Sequence, residues 1–310
     1  MVEGKKQWKA WLYLAPALVL LLIFTVWPII NTLRMAFLEG YGQLAYVGGK
    51  RFSFGFGNFV SVITYQKFLD ALKTTALLCV ITVPVSTFLA LLIAVCLNSI
   101  GPLRRLLQTI FFLPYVTNSI AIGMVFAAMF NIVGNLTGNR NDISTVGIIN
   151  NIIEFFGGNY VNWINVHSSY WSNMFVLIVY IVWNALPFKI LILLGGLQSV
   201  NKQYYEAAKV DGTSRFRVFW RITVPMLSPM IAYVVITGFI GGFKEYSSVV
   251  GIFGDAEAKT GKVVTIVGYI YRSLGDNHEG DASAAALILF AIIMVVTLIN
   301  LYVSKKKVHY

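Results

Sequence analysis

Six long stretches of the chain contain no Asp, Glu, Lys or Arg: residues 10–33, 74–103, 106–139, 155–188, 222–243 and 282–304. A helix that crosses a bilayer needs about 20 mostly apolar residues. Each stretch is long enough to cross once. The stretches at 106–139 and 155–188 exceed the need, so each takes in loop or interfacial residues. The fourth span extends past Lys189 to about Leu197, because a lysine near a helix end can snorkel to the interface. The spans are therefore expected at about 10–33, 74–99, 106–133, 169–197, 225–246 and 282–304. This is an all-α integral membrane protein with six transmembrane helices in one domain, 1–310. Composition agrees, with 12% charged and 57% hydrophobic residues. A soluble domain carries about 25% and 45–50%. Disordered and low-complexity chains are excluded by the same numbers.

The formal net charge is +11, which in a soluble protein suggests nucleic acid. In a membrane protein it reports orientation. Segments 1–10, 100–105, 198–221 and 305–310 hold 13 Lys/Arg and only three acids, Glu3, Glu206 and Asp211. Segments 34–73, 134–168 and 244–281 hold 10 of each sign. Basic residues cluster in short cytoplasmic loops, so both termini are expected in the cytoplasm and no nucleic-acid partner is expected. The uncharged run at 10–33 is too long for a secretory signal core of roughly 7–15 residues. It reads as a retained first span.

Metal and redox chemistry have no sequence support. Cys79 and Cys96 lie 17 residues apart in one apolar run, about 25 Å along a helix, too far to pair. They read as two buried small hydrophobes. His167, His278 and His309 are scattered, and no metal site is expected. No Gly-x-x-x-x-Gly-Lys-Ser/Thr sequence is present to cradle ATP.

The most informative segment is the inner loop 199–225. Residues 201–211 are expected to form a short helix, with Asn201 as N-cap and Gly212 in the left-handed conformation after its end. Val200, Tyr204 and Ala208 fall on one face, with Ala207 beside them. Adjacent alanines leave room for another protein's groove. A second helical piece carries Phe216, Phe219 and Trp220, with Arg215, Arg217 and Arg221 placed to meet lipid headgroups. Pro225 and Pro229 open the fifth span.

The pattern Glu206-Ala207-Ala208, Asp211-Gly212, Phe219, Ile222 and Pro225 resembles the EAA loop of permease subunits of binding-protein-dependent ABC importers. Val224 and Thr213 depart from the usual leucine and alanine. Gly57-Asn58-Phe59, Phe68–Ala71, Thr74, Leu113-Pro114-Tyr115 and Gly280–Ala284 resemble the carbohydrate-uptake branch, with its maltose and glycerol-phosphate permeases. The resemblance implies the type I ABC importer permease fold. It implies that Tyr205, Glu206, Ala207, Ala208, Asp211 and Gly212 form a coupling helix docked on a cytoplasmic ATPase. The implied partners are a second six-span permease (in this branch usually a different chain), an ATPase dimer and an extracytoplasmic sugar-binding protein. ATP and magnesium would be bound by the ATPase subunits, and no cofactor by this chain. The implied place is a bacterial or archaeal cytoplasmic membrane.

The resemblance also gives substrate-pathway candidates. Tyr115 and Ser119 come from the third span, Ile181, Asn184, Ala185 and Phe188 from the fourth, and Gly238, Gly242 and Glu245 from the fifth. Tyrosine offers a ring face and a hydroxyl to a sugar. Ile181 and Gly242 stand where the maltose relative has amides, so two glycines would make a roomier cavity and leave selectivity to the binding protein. Each candidate has a structural reading beside the functional one. Tyr115 fits an interfacial belt, Ser119 a bond to its own helix, and Gly238 with Gly242 a close helix contact. Lys189, Lys244 and Glu245 are ionisable residues at membrane depth, which points to function, while snorkelling and an interfacial ion pair are the alternatives. A secondary transporter or channel working without ATP leaves the coupling motif unexplained and predicts an internal repeat that is not seen. An intramembrane enzyme lacks acids and histidines inside the spans.

Overall fold

Backbone polar groups in an apolar run must bond within the run, which makes helix the natural form of every uncharged stretch. The computed structural model describes residues 7–100, 104–134, 143–165, 167–254 and 263–307. It is mostly helical. In chain order come α1 (Gln7–Leu21), a π-helical turn Leu22–Val26, α2 (Trp27–Ala36), α3 (Gln43–Val47) and α4 (Gly57–Thr64). Next are α5 (Gln66–Ser99), α6 (Arg104–Val116) and α7 (Ser119–Phe130). Two short strands, β1 (Ile132–Gly134) and β2 (Ile143–Val146), pair antiparallel with Ile132 opposite Val146. They are followed by α8 (Ile148–Phe155), α9 (Tyr170–Ser199), α10 (Lys202–Val210) and α11 (Arg215–Val218). A second π-helical turn, Phe219–Thr223, leads to α12 (Val224–Met226) and α13 (Ser228–Phe243). Last come α14 (Ser247–Phe253), α15 (Ile266–Gly275) and α16 (Glu279–Lys307).

Four helices are long and apolar enough to cross a membrane: Trp8–Ala36, Gln66–Ser99, Tyr170–Ser199 and Glu279–Lys306. A fifth crossing is available if Arg215–Met226 and Ser228–Phe243, bent by 69°, count as one span. The run expected as one span over 106–133 is instead α6 and α7, separated at Thr117 and Asn118. Asn118 explains the break: its Oδ1 accepts from Ile120 N at 2.9 Å and Ala121 N at 3.4 Å, capping a new helix.

Both π-helical turns have the same cause. Each five-residue turn is followed, two residues on, by a proline: Val26 by Pro28 and Thr223 by Pro225. Proline cannot donate to the carbonyl four residues back and crowds it, so the helix widens there.

The chain divides into two units. The first comprises Met1–Gln66 and Ile270–Ile288. Buried Asn58 ties its turn together, accepting from Gly40 N and donating to Ala36 O and Leu38 O. Glu39 accepts from Gly57 N and Ser53 Oγ, and Glu279 from Gln43 N. The second unit comprises Lys67–Tyr269 and Leu289–Tyr310. Here α9 is central. Its N-terminal half packs Met174, Leu177, Tyr180 and Ile181 with Leu78, Val249 and Phe253. Its C-terminal half packs Leu193, Leu194 and Leu197 with Ala90, Ala94, Leu227 and Val234. α7 and α14 cross backbone to backbone: a Cβ on Gly123 would lie 2.7 Å from Gly251 Cα. Of the two cysteines expected to be buried, Cys79 is and Cys96 is exposed.

Candidate functional site

The break between α6 and α7 gathers four of the nine substrate-pathway candidates. The last turn of α6 leaves carbonyl oxygens without partners inside that helix. In that turn Tyr115, half exposed, stacks on Phe188 of α9 with centroids 5.7 Å apart and rings 20° from parallel. Ser119, first residue of α7, is met from α9 by two side chains. Its hydroxyl lies 3.1 Å from the Tyr180 hydroxyl and receives Asn184 Nδ2 at 3.4 Å. The Tyr180 hydroxyl also donates to Ser119 O. Ser119 thus bonds across helices, not back into its own. Ala185, partly exposed, follows Asn184 on α9. The stacked rings offer an apolar face to C–H groups, and the break offers carbonyl acceptors beside it.

Of the remaining five, the four besides Ala185 lie elsewhere in the packing. Ile181 is buried in the core cluster around the N-terminal half of α9. Gly238 and Gly242 press against α5. A Cβ on Gly238 would lie 3.1 Å from Val83 Cγ1 and 3.3 Å from Lys189 Nζ, and one on Gly242 2.9 Å from Cys79 Sγ. Space left by the missing side chains is filled by α5, so these glycines make a helix contact and no roomier cavity. Glu245 turns its carboxylate to the backbone, with Oε1 accepting from Tyr246 N at 3.1 Å and Ser248 N at 3.0 Å at the head of α14. No ion pair joins it to Lys244 among the described residues.

Lys189 does not snorkel. Its side chain is 4% exposed, and its ammonium donates to Ser86 Oγ at 2.7 Å, Thr87 Oγ1 at 2.9 Å and Val83 O at 3.2 Å, all on α5. All three N–H donors are engaged, and Gly238 leaves room for the head group.

The loop 199–225 builds its helix by local chemistry. Asn201 Oδ1 accepts from Gln203 N at 3.0 Å and starts α10. The helix ends with Gly212 at φ +66°, Gly212 N donating to Lys209 O and Thr213 N to Ala208 O. This pair of bonds is the Schellman closure, which a glycine adopts without Cβ strain. Tyr205 reaches Thr223 at 3.4 Å, hydroxyl to hydroxyl, and ties α10 to the π-helical turn before α12. The two alanines differ in exposure. Ala208 is buried, while Ala207 is exposed with Glu206, Asp211 and Gly212. Val210 on the same outer side is 88% exposed. The face expected to unite Val200, Tyr204 and Ala208 is divided, since Tyr204 is half exposed and Ala208 is not.

Five contributors carried no distinctive sequence signal. Tyr180 sits in an apolar run, and only its hydroxyl marks it as a partner for Ser119. Ser86 and Thr87 read as small residues in a span until Lys189 is seen against them. Gly123 and Gly251 meet from distant segments. Among the described residues no three His, Cys, Asp or Glu come together to hold a metal.

Residues 83–309 match the model of the family described as binding-protein-dependent transport system inner membrane component. The chain is 29% identical over 293 residues to the lactose transport system permease protein of Rhizobium radiobacter, covering 94% of this chain and 91% of that one. It is 29% identical over 294 residues to the arabinooligosaccharides transport system permease protein of Halalkalibacterium halodurans, covering 94% and 86%. A crystal structure of a bacterial alginate ABC transporter, in complex with its alginate pentasaccharide-bound periplasmic protein, contains a chain of the same fold. The TM-score is 0.80 at 22% identity, covering 97% of this chain and 96% of that chain.

Proposed function

The chain belongs to the family of inner membrane components of binding-protein-dependent transport systems, and from that premise we propose that it forms half of the translocation pathway of an ATP-driven sugar importer. The substrate class rests on relatives named for lactose and arabinooligosaccharides, so an oligosaccharide is the preferred cargo. The host membrane is the cytoplasmic membrane of a bacterium or archaeon. The chain crosses it six times with both termini in the cytoplasm, α6 and α7 together making the third crossing.

The observation that carries coupling is α10. It is closed at both ends by its own residues, anchored through Tyr205 and Thr223, and turns Glu206, Ala207 and Val210 outward. A rigid short helix with a small residue between a carboxylate and an apolar side chain suits a cleft on another protein. An ATPase dimer offers two such clefts. One is filled by this chain and the other by a second six-span permease, a different chain. ATP closes the ATPase pair, the coupling helices follow, and the bundle opens to an extracytoplasmic sugar-binding protein. Hydrolysis resets the inward-facing state. Binding energy drives the cycle only because each partner prefers one state. The Tyr115–Phe188 stack and the broken backbone beside it are the sugar's contacts in the pathway.

The experiment is site-specific cross-linking in the assembled importer. Ala207→Cys, in a Cys96→Ser background, should cross-link to the ATPase subunit, with yield that changes when ATP is bound. A cross-link absent in every nucleotide state, with uptake intact, refutes the coupling assignment. Transport that proceeds without ATP would favour a secondary transporter.

A further inference from the structure

Helix α8 has an exposed apolar stripe that the transport reading does not use. Ile148, Ile152 and Phe155 follow at helical spacing, and Phe156 continues the stripe past the last turn. Phe155 and Phe156 are 84% and 80% exposed. The stripe bears no charge. It cannot roll inward, because the opposite side of the helix is bolted down. Fully buried Asn150 accepts from Val161 N at 3.0 Å and Trp163 Nε1 at 3.3 Å, and donates to Val161 O at 3.0 Å. Glu154 accepts from the Tyr160 hydroxyl on that inner side. Gly157 at φ +81° then turns the chain away.

The inner side of α8 leads to a second exposed apolar surface. Trp163, bonded to Asn150, packs its ring 5.5 Å from Phe175 of α9. Phe175 and Trp171 are exposed four residues apart on the first turns of α9, a helix apolar enough to cross the membrane. Tryptophan at the end of a span marks the level of the headgroups. An amphipathic helix at that level, apolar toward the acyl chains, lies in the plane of the interface.

We infer that α8 is an interfacial helix, its stripe buried in the outer leaflet at the boundary of headgroups and acyl chains. Its occupant is lipid. The inference is independent of the cargo and of ATPase coupling. It adds a lipid-contact surface beside the candidate pathway, since α8 packs on α7.

The test uses the whole importer in lipid nanodiscs, with nitroxide labels at Phe155→Cys and, separately, Ile152→Cys, in the Cys96→Ser background. A label at Asn159→Cys, exposed and off the stripe, is the reference. Both stripe labels should collide freely with oxygen and several-fold less with a water-soluble nickel chelate than the reference does, at a depth of about 5–10 Å below the headgroups. Equal nickel access at stripe and reference overturns the inference, because the face is then in water or open to a soluble partner. Loss of both oxygen and nickel access also overturns it, because the face is then covered by protein, such as the second permease. ATP-driven uptake measured on the same samples establishes that the labelled complexes are assembled.

Discussion

Replacing Lys189 by methionine should leave stability almost unchanged, while replacing it by alanine should not. The ammonium makes three bonds to neutral acceptors, each worth about 1.5–3 kcal/mol when one partner is charged. Against them stands an effective desolvation penalty of about several kcal/mol per buried ion, here with no ion pair to Lys189 among the described residues. The two terms nearly cancel. In Lys189→Met nothing is orphaned. Ser86 Oγ already donates to Thr82 O and Val83 O, and Thr87 Oγ1 to Val83 O, so both hydroxyls keep partners on α5. Methionine also fills most of the space of the lysine stem. The expected change is within about 1 kcal/mol of wild type, of either sign. Lys189→Ala empties the same space between α5, α9 and α13 and should cost about 2–4 kcal/mol, the range for truncating a long buried side chain. The assay is thermal inactivation of the purified chain with its partners in nanodiscs, followed as half-life at fixed temperature because large assemblies commonly unfold irreversibly. If methionine proves as damaging as alanine, the charge itself holds α9 to α5 and the cancellation argued above is wrong. If methionine is stable but uptake fails, the charge serves transport and not packing.

Gly123→Ala should be more damaging than Gly238→Ala, because the new Cβ meets Gly251 backbone at 2.7 Å and backbone cannot rotate away. We expect about 1–3 kcal/mol of overpacking, read as lost half-life, with Gly251→Ala behaving alike. Gly212→Ala meets no atom within 4 Å, so its cost is backbone strain alone, about 1 kcal/mol at φ +66°, and Gly212→Asn should cost less. Both are read as the ratio of uptake to ATP hydrolysis, which should fall in the same order. Tyr115→Ala should raise the sugar concentration needed for half-maximal uptake without loss of assembly, since Tyr115 is half exposed and its ring meets only Phe112, tilted, and Phe188, stacked, among the described rings. Unchanged uptake kinetics would remove it from the pathway.

What the sequence made legible is chemistry that acts locally. Asn201 and Gly212 bound α10 because capping needs only the residue and its near neighbours. Four of the six long uncharged runs became long helices for the same reason, since an apolar helix satisfies its own backbone. Helix α10 was legible because the residues that bound it are contiguous. The break at Asn118 was not foreseen, although its cause is also local. An asparagine inside an apolar run invites a reading as a polar lining residue, and the capping reading requires the helix to end there first.

Long-range packing was illegible for a physical reason. In water, the alternation of apolar and polar residues around a helix tells inside from outside. Where lipid replaces water, both faces are apolar and that period is erased. Small and polar residues are then the remaining markers, and each admits two readings. Gly238 fits a cavity or a close contact; Lys189 fits a snorkel or a buried anchor. Neither choice can be made alone. Together they decide each other: a Cβ at 238 would stand 3.3 Å from Nζ, and the ammonium reaches Ser86 and Thr87 with that space left open. Two residues on different helices, each ambiguous, describe one packing event against α5. The same logic ties Gly123 to Gly251. It follows that Gly238→Ala should be better tolerated in the Lys189→Met background than in wild type, because methionine's flexible end can move from the new methyl where a triply bonded ammonium cannot. Strictly additive losses of half-life would break that link.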